Sequence, residues 1–200
     1  MAPTIMAIGK SMGTYFSVDG KYEHCNLDLG TSLEKVSVDE LLAWGCAHEN
    51  AQAHLEKRFD RQALNAEIKK NNETLFNDDR DRILDRLFSI GALVEVDSQL
   101  LPSKEFLGSY SLVPVGRGFG NTEAAPERFG VGYGQVAEVF MGRHAYFLWG
   151  FGYQDGSIWA ACEKVAAQNP KATALQLAAD IADVVPALVA ADCAVLERLP

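Results

Sequence analysis

The sequence has few of the residues and motifs that mark catalytic or metal-binding proteins. Its 200 residues include four cysteines and four histidines. No two cysteines form a Cys-x-x-Cys pair, and neither a Gly-x-Ser-x-Gly nor a His-Glu-x-x-His motif occurs. These absences argue against a disulfide framework and against the common hydrolase and metalloprotease mechanisms. We expect the cysteines to be buried, reduced thiols.

Positive charge is also scarce. The chain has 18 Lys and Arg residues against 27 Asp and Glu residues, which gives a net charge of -9. Because every phosphate contact requires a cationic side chain, this balance disfavours tight, non-specific binding to nucleic acid or to anionic membranes. It is compatible with a basic protein or peptide as the partner.

Long uninterrupted apolar runs are absent from the sequence. The apolar stretch near the N-terminus is too short for the core of a signal peptide, and no basic region precedes it. The most apolar segment, residues 175–196, contains three aspartates and a proline, which predicts a packed helical region rather than a membrane span. We therefore expect a cytoplasmic protein that has no membrane association.

Two segments anchored by a Trp-Gly pair are similar to each other. One contains Trp44 and Gly45, and the other contains Trp149 and Gly150. Each is followed by a short helical stretch, and then by another helix that ends in a turn and a strand. We therefore predict an α+β chain of two winged-helix-like units related by duplication, residues 1–118 and 119–200. Each unit is expected to contain a β-hairpin, three helices, and a short strand or wing.

Turn residues and apolar spacing predict the elements of the first unit. Residues 14–29 are typical of a hairpin with Asp19-Gly20 at its two-residue turn. A helix with one apolar face is expected to end at Gly91, which can adopt the left-handed conformation. Residues 92–96 then predict a strand, paired with a second strand over residues 106–115.

Glycines dominate the sequence between the two units and within the second one. Residues 115–127 contain glycine and proline and are predicted to form a flexible linker. Residues 128–142 predict another hairpin. In the aromatic stretch that follows, residues 146–149 are expected to end a strand, and Gly150 and Gly152 to permit a turn. We interpret this stretch as a structural corner, because a cofactor site would need more converging polar groups than it offers.

The order of these elements, with the Ile158-Trp159 pair at the start of a helix, resembles the PqqD-like domains, also called RiPP recognition elements. The resemblance covers residues 131–199 and, more faintly, residues 14–97. It implies a small winged-helix-like fold that binds a leader peptide as an added strand beside a helix. We therefore expect a non-catalytic peptide- or protein-binding adaptor that uses a sheet edge or the groove between the units.

The candidate partner surface is aromatic. An alternative function, a small-molecule sensor, follows if the same aromatic side chains line an apolar pocket between the units. We predict no catalytic residue, no metal ligand and no cofactor, since Cys46 and His48 have no further candidate zinc ligands nearby. The residues of the candidate surface are Tyr146, Trp149, Tyr153 and Trp159.

The main alternative function is a DNA-binding transcriptional regulator or prophage-type repressor of the winged-helix type. It would rely on Arg80, Arg82 and Arg86, which lie on the presumptive recognition helix of the first unit. Four aspartates share that helix, and the equivalent helix of the second unit has no basic residue. The net charge therefore disfavours this function. A homodimer formed through unpaired strands also remains open.

Overall fold

The computed structural model describes residues 3–72 and 77–200. These residues form a mixed structure that is 42% helical and 28% strand, with small antiparallel sheets, which confirms the predicted α+β class. In the described ranges, no helix combines the length and apolar character needed to cross a bilayer.

The first half of the chain runs from β1 to β5. Its strands are β1 (Thr4–Ala7), β2 (Lys10–Phe16), β3 (Tyr22–Asp28), β4 (Leu33–Val36) and β5 (Leu93–Val96). Its helices are α1 (Val38–Cys46), α2 (Ala51–Leu55), α3 (Arg61–Asn71) and α4 (Asn77–Ser89). Strands β2, β3 and β4 form one antiparallel sheet, and β1 pairs with β5.

Helix α5 (Lys104–Gly108) connects the first half to the second half, which runs from β6 to β10. The strands are β6 (Tyr110–Pro114), β7 (Arg117–Thr122), β8 (Ala125–Gly132), β9 (Val139–Met141) and β10 (Ala194–Arg198). The helices are α6 (Arg143–Phe151), a 3₁₀ segment (Gly152–Asp155), α7 (Ile158–Gln168), α8 (Ala174–Ala182) and α9 (Val185–Ala190). Strands β7, β8 and β9 form a sheet, and β6 pairs with β10, so both halves have the same order of sheets.

The two halves share one hydrophobic core. Helix α9 of the second half is buried along its whole length and packs on α2 and β1 of the first half. The backbone also joins the halves: the Gly9 N–H donates to the Leu196 carbonyl at 2.8 Å, and the Arg198 N–H donates to the Leu29 carbonyl at 3.1 Å. Burial on this scale makes the two halves one packed body.

Several predicted elements are confirmed. Strands β2 and β3 form the first hairpin, and β8 and β9 form the second. The turn of the first hairpin is longer than predicted, because the backbones of Ser17 and Lys21 still pair at 2.8 Å and Gly20 has a φ of 78°. Helix α4 is followed by the left-handed Gly91, with a φ of 76°. All four cysteines are buried and free.

The predicted pairing of residues 92–96 with residues 106–115 is wrong. Strand β5 pairs with β1, and β6 pairs with β10. All four residues of β1 are buried, so the N-terminal apolar segment fills the place beside β5. Residues 104–108 form a helix rather than a strand, because the Ser103 hydroxyl accepts a hydrogen bond from the Phe106 N–H and caps α5.

The predicted strand over residues 146–149 is also wrong, because these residues lie within α6. The buried positions of this helix are Ala145, Leu148 and Trp149, and their spacing of three and four residues is helical. The turn comes later than predicted, at Gly156, whose φ is 83°. Helix α7 begins, as predicted, at Ile158.

The predicted linker over residues 115–127 is wrong as well, since these residues form β7 and the start of β8. Glycine is needed here for close packing. A Cβ on Gly118 would collide with the Tyr146 hydroxyl, and one on Gly132 would collide with the backbone of Val136. The division of the chain at residues 118 and 119 falls within β7 and stays a prediction.

Candidate functional site

Of the four predicted surface aromatics, Trp149 is buried in the second half and Tyr146 is half-buried against the same core. Tyr146 and Trp149 lie on α6 with their ring centres 5.6 Å apart, and Tyr146 also contacts Phe129 at 5.0 Å. The Trp149 indole N–H donates to the Cys193 carbonyl at 2.9 Å. These contacts hold α6 against β8 and the start of β10.

The other two aromatics lie elsewhere. Tyr153 is exposed on the 3₁₀ segment, whereas Trp159 is half-buried on α7, with the Lys104 ammonium 5.7 Å from its ring centre. Among the described residues, no ring contact joins either of them to Tyr146 or Trp149. The structure therefore does not bring the four together, and their role as a partner surface stays a prediction.

The arginines of the DNA-binding alternative are partly engaged by carboxylates. Arg82 pairs with Asp79 at 2.9 Å, and Arg86 pairs with Glu40 at 2.9 Å. Arg80 lies half-buried on the same helix. Ion pairs of this kind reduce the positive charge that a phosphate backbone would meet.

The possible zinc ligands Cys46 and His48 have other partners. The Cys46 thiol accepts a hydrogen bond from the Asn71 amide at 3.7 Å. One ring nitrogen of His48 lies 3.0 Å from both the Val189 carbonyl and the Asp192 carboxylate. In the described part of the chain, no group of three or more His, Cys, Asp and Glu residues is arranged to hold a metal ion.

A groove of about 580 Å³ lies in the second half, between strand β9 and the end of helix α8. Strand β9 is at the edge of its three-stranded sheet, so no strand of the described residues pairs with its outer backbone groups. Phe140, on β9, is 45% exposed and supplies an apolar wall. We name this feature the β9–α8 groove; it is lined by Glu127, Phe140, Met141, Gly142, Arg143, His144, Ala145, Asp180, Asp183 and Val184.

Three carboxylates and one arginine, Arg143, make up the charged lining of the β9–α8 groove, together with His144. Asp180 and Asp183 project from the end of α8, and Glu127 lies on β8. The His144 ring lies 3.1 Å from Asp180, and the Lys57 ammonium reaches Asp183 at 2.6 Å from the first half. Both aspartates remain at least half exposed, so they can also meet a charged group that enters from solvent.

The first half has a corresponding place, between edge strand β4 and helix α4, which we name the β4–α4 groove. There the Arg86 guanidinium donates to the Lys35 carbonyl on β4 at 3.2 Å while it pairs with Glu40. Glu40 is held in turn, because its carboxylate accepts the Ser37 N–H at 2.7 Å in the capping box of α1. The β4–α4 groove is therefore bridged by the protein's own side chain.

Sequence reasoning missed the β9–α8 groove. It considered Asp180 and Asp183 only as charges that exclude a membrane span. Their spacing of three residues places both on one face of a helix, which was the available signal for an acidic wall. The opposite wall, Phe140, comes from a strand some forty residues earlier.

Another cavity lies where the halves meet. Its volume is about 390 Å³, and Trp44, His48 and Tyr133 are among the residues that line it. Lys10 also borders this cavity, but it is engaged by Glu197 at 3.3 Å and Asp28 at 3.5 Å. Lys10 and one ring nitrogen of His48 therefore already have partners within the protein.

No family model matches the chain, and no curated protein and no solved structure is significantly similar to it.

Proposed function

We propose that the chain is a non-catalytic peptide- or protein-binding adaptor, which takes an extended segment of its partner into the β9–α8 groove. The observation that carries the proposal is the groove itself. An open edge strand and a helix enclose a groove whose volume is about 580 Å³. An extended segment gains main-chain hydrogen bonds from such an edge, and its side chains gain contacts from the walls.

The chemistry of the groove favours binding over catalysis. His144 and Asp180 form a pair that could act as a general base. However, the described lining offers no Ser, Thr, Cys or Lys side chain as a nucleophile beside that pair. What remains is an apolar wall, an acidic wall and a free backbone edge, and these are features of a recognition site.

We also propose that the two halves arose by duplication of a winged-helix-like unit. In both halves, a three-stranded sheet leads directly into a nine-residue helix, α1 or α6, whose seventh residue is Trp44 or Trp149. The first strand of each sheet also has a register shift at a left-handed glycine, Gly13 or Gly120. The resemblance to PqqD-like domains supports the same mode of strand addition beside a helix.

A peptide screen tests the proposal. The full chain is immobilised and used to select from a displayed library of random peptides, and an enriched sequence is synthesised. Two further versions of that peptide carry N-methyl groups at alternate residues, in the two possible phases. In an added strand, alternate N–H groups face the sheet, so one phase should lose binding and the other should keep it.

The two methylated peptides control for each other, because they have the same length, side chains and number of methyl groups. Equal binding by both would show that no strand is added. A library that yields no enriched sequence would contradict the adaptor function itself.

A further inference from the structure

We infer that the partner segment carries a lysine or arginine, whose charged end is held by Asp180 and Asp183 on the helix side of the β9–α8 groove. The inference rests on the proposed function and names the chemistry of the partner. The acidic wall is one observation, and the arginine that fills the β4–α4 groove is a second.

The β4–α4 groove shows what this framework accommodates between an edge strand and its helix. Arg86 spans the gap: its guanidinium reaches a backbone carbonyl of β4 at 3.2 Å and a carboxylate oxygen of Glu40 at 2.9 Å. An edge strand offers carbonyl oxygens, which are hydrogen-bond acceptors for a guanidinium or ammonium group. A basic side chain therefore fits the gap in both length and chemistry.

In the second half, no arginine on α8 bridges the gap, although Arg143 and His144 line the groove and Lys57 contacts Asp183. Ala145 is the third residue of α6, as Glu40 is of α1, so the carboxylate of the capping box is missing. The wall that carries Arg86 in the first half carries Asp180 and Asp183 in the second. The open groove thus has acceptors on both sides, while its own cations, Arg143 and Lys57, lie at the start of α6 and beside Asp183.

The apolar surface of the groove suits the stem of the same side chain. Phe140 on β9 and Val184 after α8 line it, and Phe140 is 45% exposed. Lysine and arginine bury their methylene stems on such surfaces and keep the charged end at the rim. At the rim that end meets Asp180, which is already close to His144, and Asp183, which Lys57 contacts from one side.

The test begins with the peptides enriched from the displayed library by the full chain. We expect a lysine or arginine at a fixed position in them. Replacing that residue by glutamine should weaken binding about tenfold, because it removes a charge-assisted hydrogen bond. The double variant Asp180→Asn, Asp183→Asn should bind the basic peptide about tenfold more weakly and the glutamine peptide unchanged.

Glu105→Gln is a control because it converts an exposed carboxylate outside the groove, on α5, to an amide. It should bind both peptides as the parent protein does. Thermal unfolding of all variants checks that a loss of binding is not a loss of folding.

The outcomes separate this inference from the proposed function. If one phase of N-methylation abolishes binding but the enriched peptides lack a basic residue, or the aspartate variants bind as the parent does, strand addition stands and the inference is wrong. If no peptide is enriched, the proposed function fails and the inference fails with it.

Discussion

Both grooves of this protein lie between an edge strand and a helix, but the helix carries an arginine in one groove and aspartates in the other. In the first half, α4 presents Arg86 to the edge of β4, and the gap is bridged. In the second half, α8 presents carboxylates to the edge of β9, and a groove of about 580 Å³ remains. An exposed edge strand is prone to pair with other chains, and a bridging arginine is one way to prevent it. Under the proposed duplication and function, the comparison teaches that a few side chains decide whether an edge strand is bridged or left open.

The largest effect on stability is expected at the two buried tryptophans, each of which is the seventh residue of its helix. Trp44 and Trp149 are both buried, and each donates its indole N–H to a backbone carbonyl, at 3.1 Å and 2.9 Å. Replacing either by alanine should lower the free energy of unfolding by about 3–5 kcal/mol, because a large cavity and an unpaired carbonyl are left. Urea denaturation followed by circular dichroism measures this loss. The half-buried Trp159 is the control, and Trp159→Ala should cost less than half as much.

The next effect is a loss of stability in acid that arises from a buried histidine of the first half. His54 on α2 is fully buried and stacks on Phe59 with ring centres 4.0 Å apart. Burial lowers the pKa of His54 from 6.5 to about 4. Between these pH values the unfolded chain binds a proton that the folded protein does not, so stability falls as pH falls from 6.5 towards 4.

His54→Phe removes this proton uptake. Relative to the variant, the parent protein should therefore lose about 3 kcal/mol of unfolding free energy between pH 7 and pH 4. The comparison is made by urea denaturation at several pH values, with His144→Gln as a control on an exposed histidine. A constant difference between parent and His54→Phe across this range would show that His54 does not resist protonation in the folded state.

A smaller effect is expected from opening the closed groove. Arg86→Ala should lower the free energy of unfolding by about 1 kcal/mol, because Arg86 is partly exposed and solvent screens its ion pair. It should also allow a second peptide to bind per chain, at the edge of β4, as measured by titration calorimetry. Arg82→Ala is the control, since Arg82 pairs with Asp79 on the same helix and away from the edge strand. Unchanged stoichiometry in Arg86→Ala would mean that the arginine is not what closes this edge.

The smallest effects concern two matched pairs of glycines. Gly13 and Gly120 have φ values of 84° and 70°, so alanine at either should cost about 1 kcal/mol through backbone strain alone. Gly45 and Gly150 lie inside α1 and α6 with open space around them, so alanine at either should stabilise by up to about 1 kcal/mol. Thermal unfolding gives all four values. Opposite signs within either pair would count against the equivalence of the halves.

The sequence predicted elements whose signals are local. The short helical stretch predicted after the Trp44 segment corresponds to α3, because Asp60 caps this helix and Leu64 and Ile68 are its buried residues. The misassigned strand in α6 shows where local signals conflict. Aromatic residues favour strands, but the apolar residues of α6 are spaced so that a helix buries them on one side, and the segment is helical.

The rest could not be predicted because it depends on contacts between distant segments. Strand β1 pairs with β5, and nearly ninety residues separate the two strands in the chain. Neither segment has a local sequence pattern that identifies its pairing partner. The β9–α8 groove likewise combines Phe140 with Asp180, which come together only after α6, α7 and α8 have packed. Packing also separates the predicted aromatics, since Tyr146 contacts Phe129 and Tyr153 is exposed, and their role as a partner surface stays a prediction.

Hydrogen exchange of the full chain, with and without an enriched peptide, tests the central claim most directly. We predict that bound peptide slows exchange of backbone amides in residues 139–141 and at the end of α8, and leaves residues 33–36 unchanged because Arg86 already bridges that edge. Protection of residues 33–36 instead, or of neither edge, would contradict the claim that the second half holds the open site.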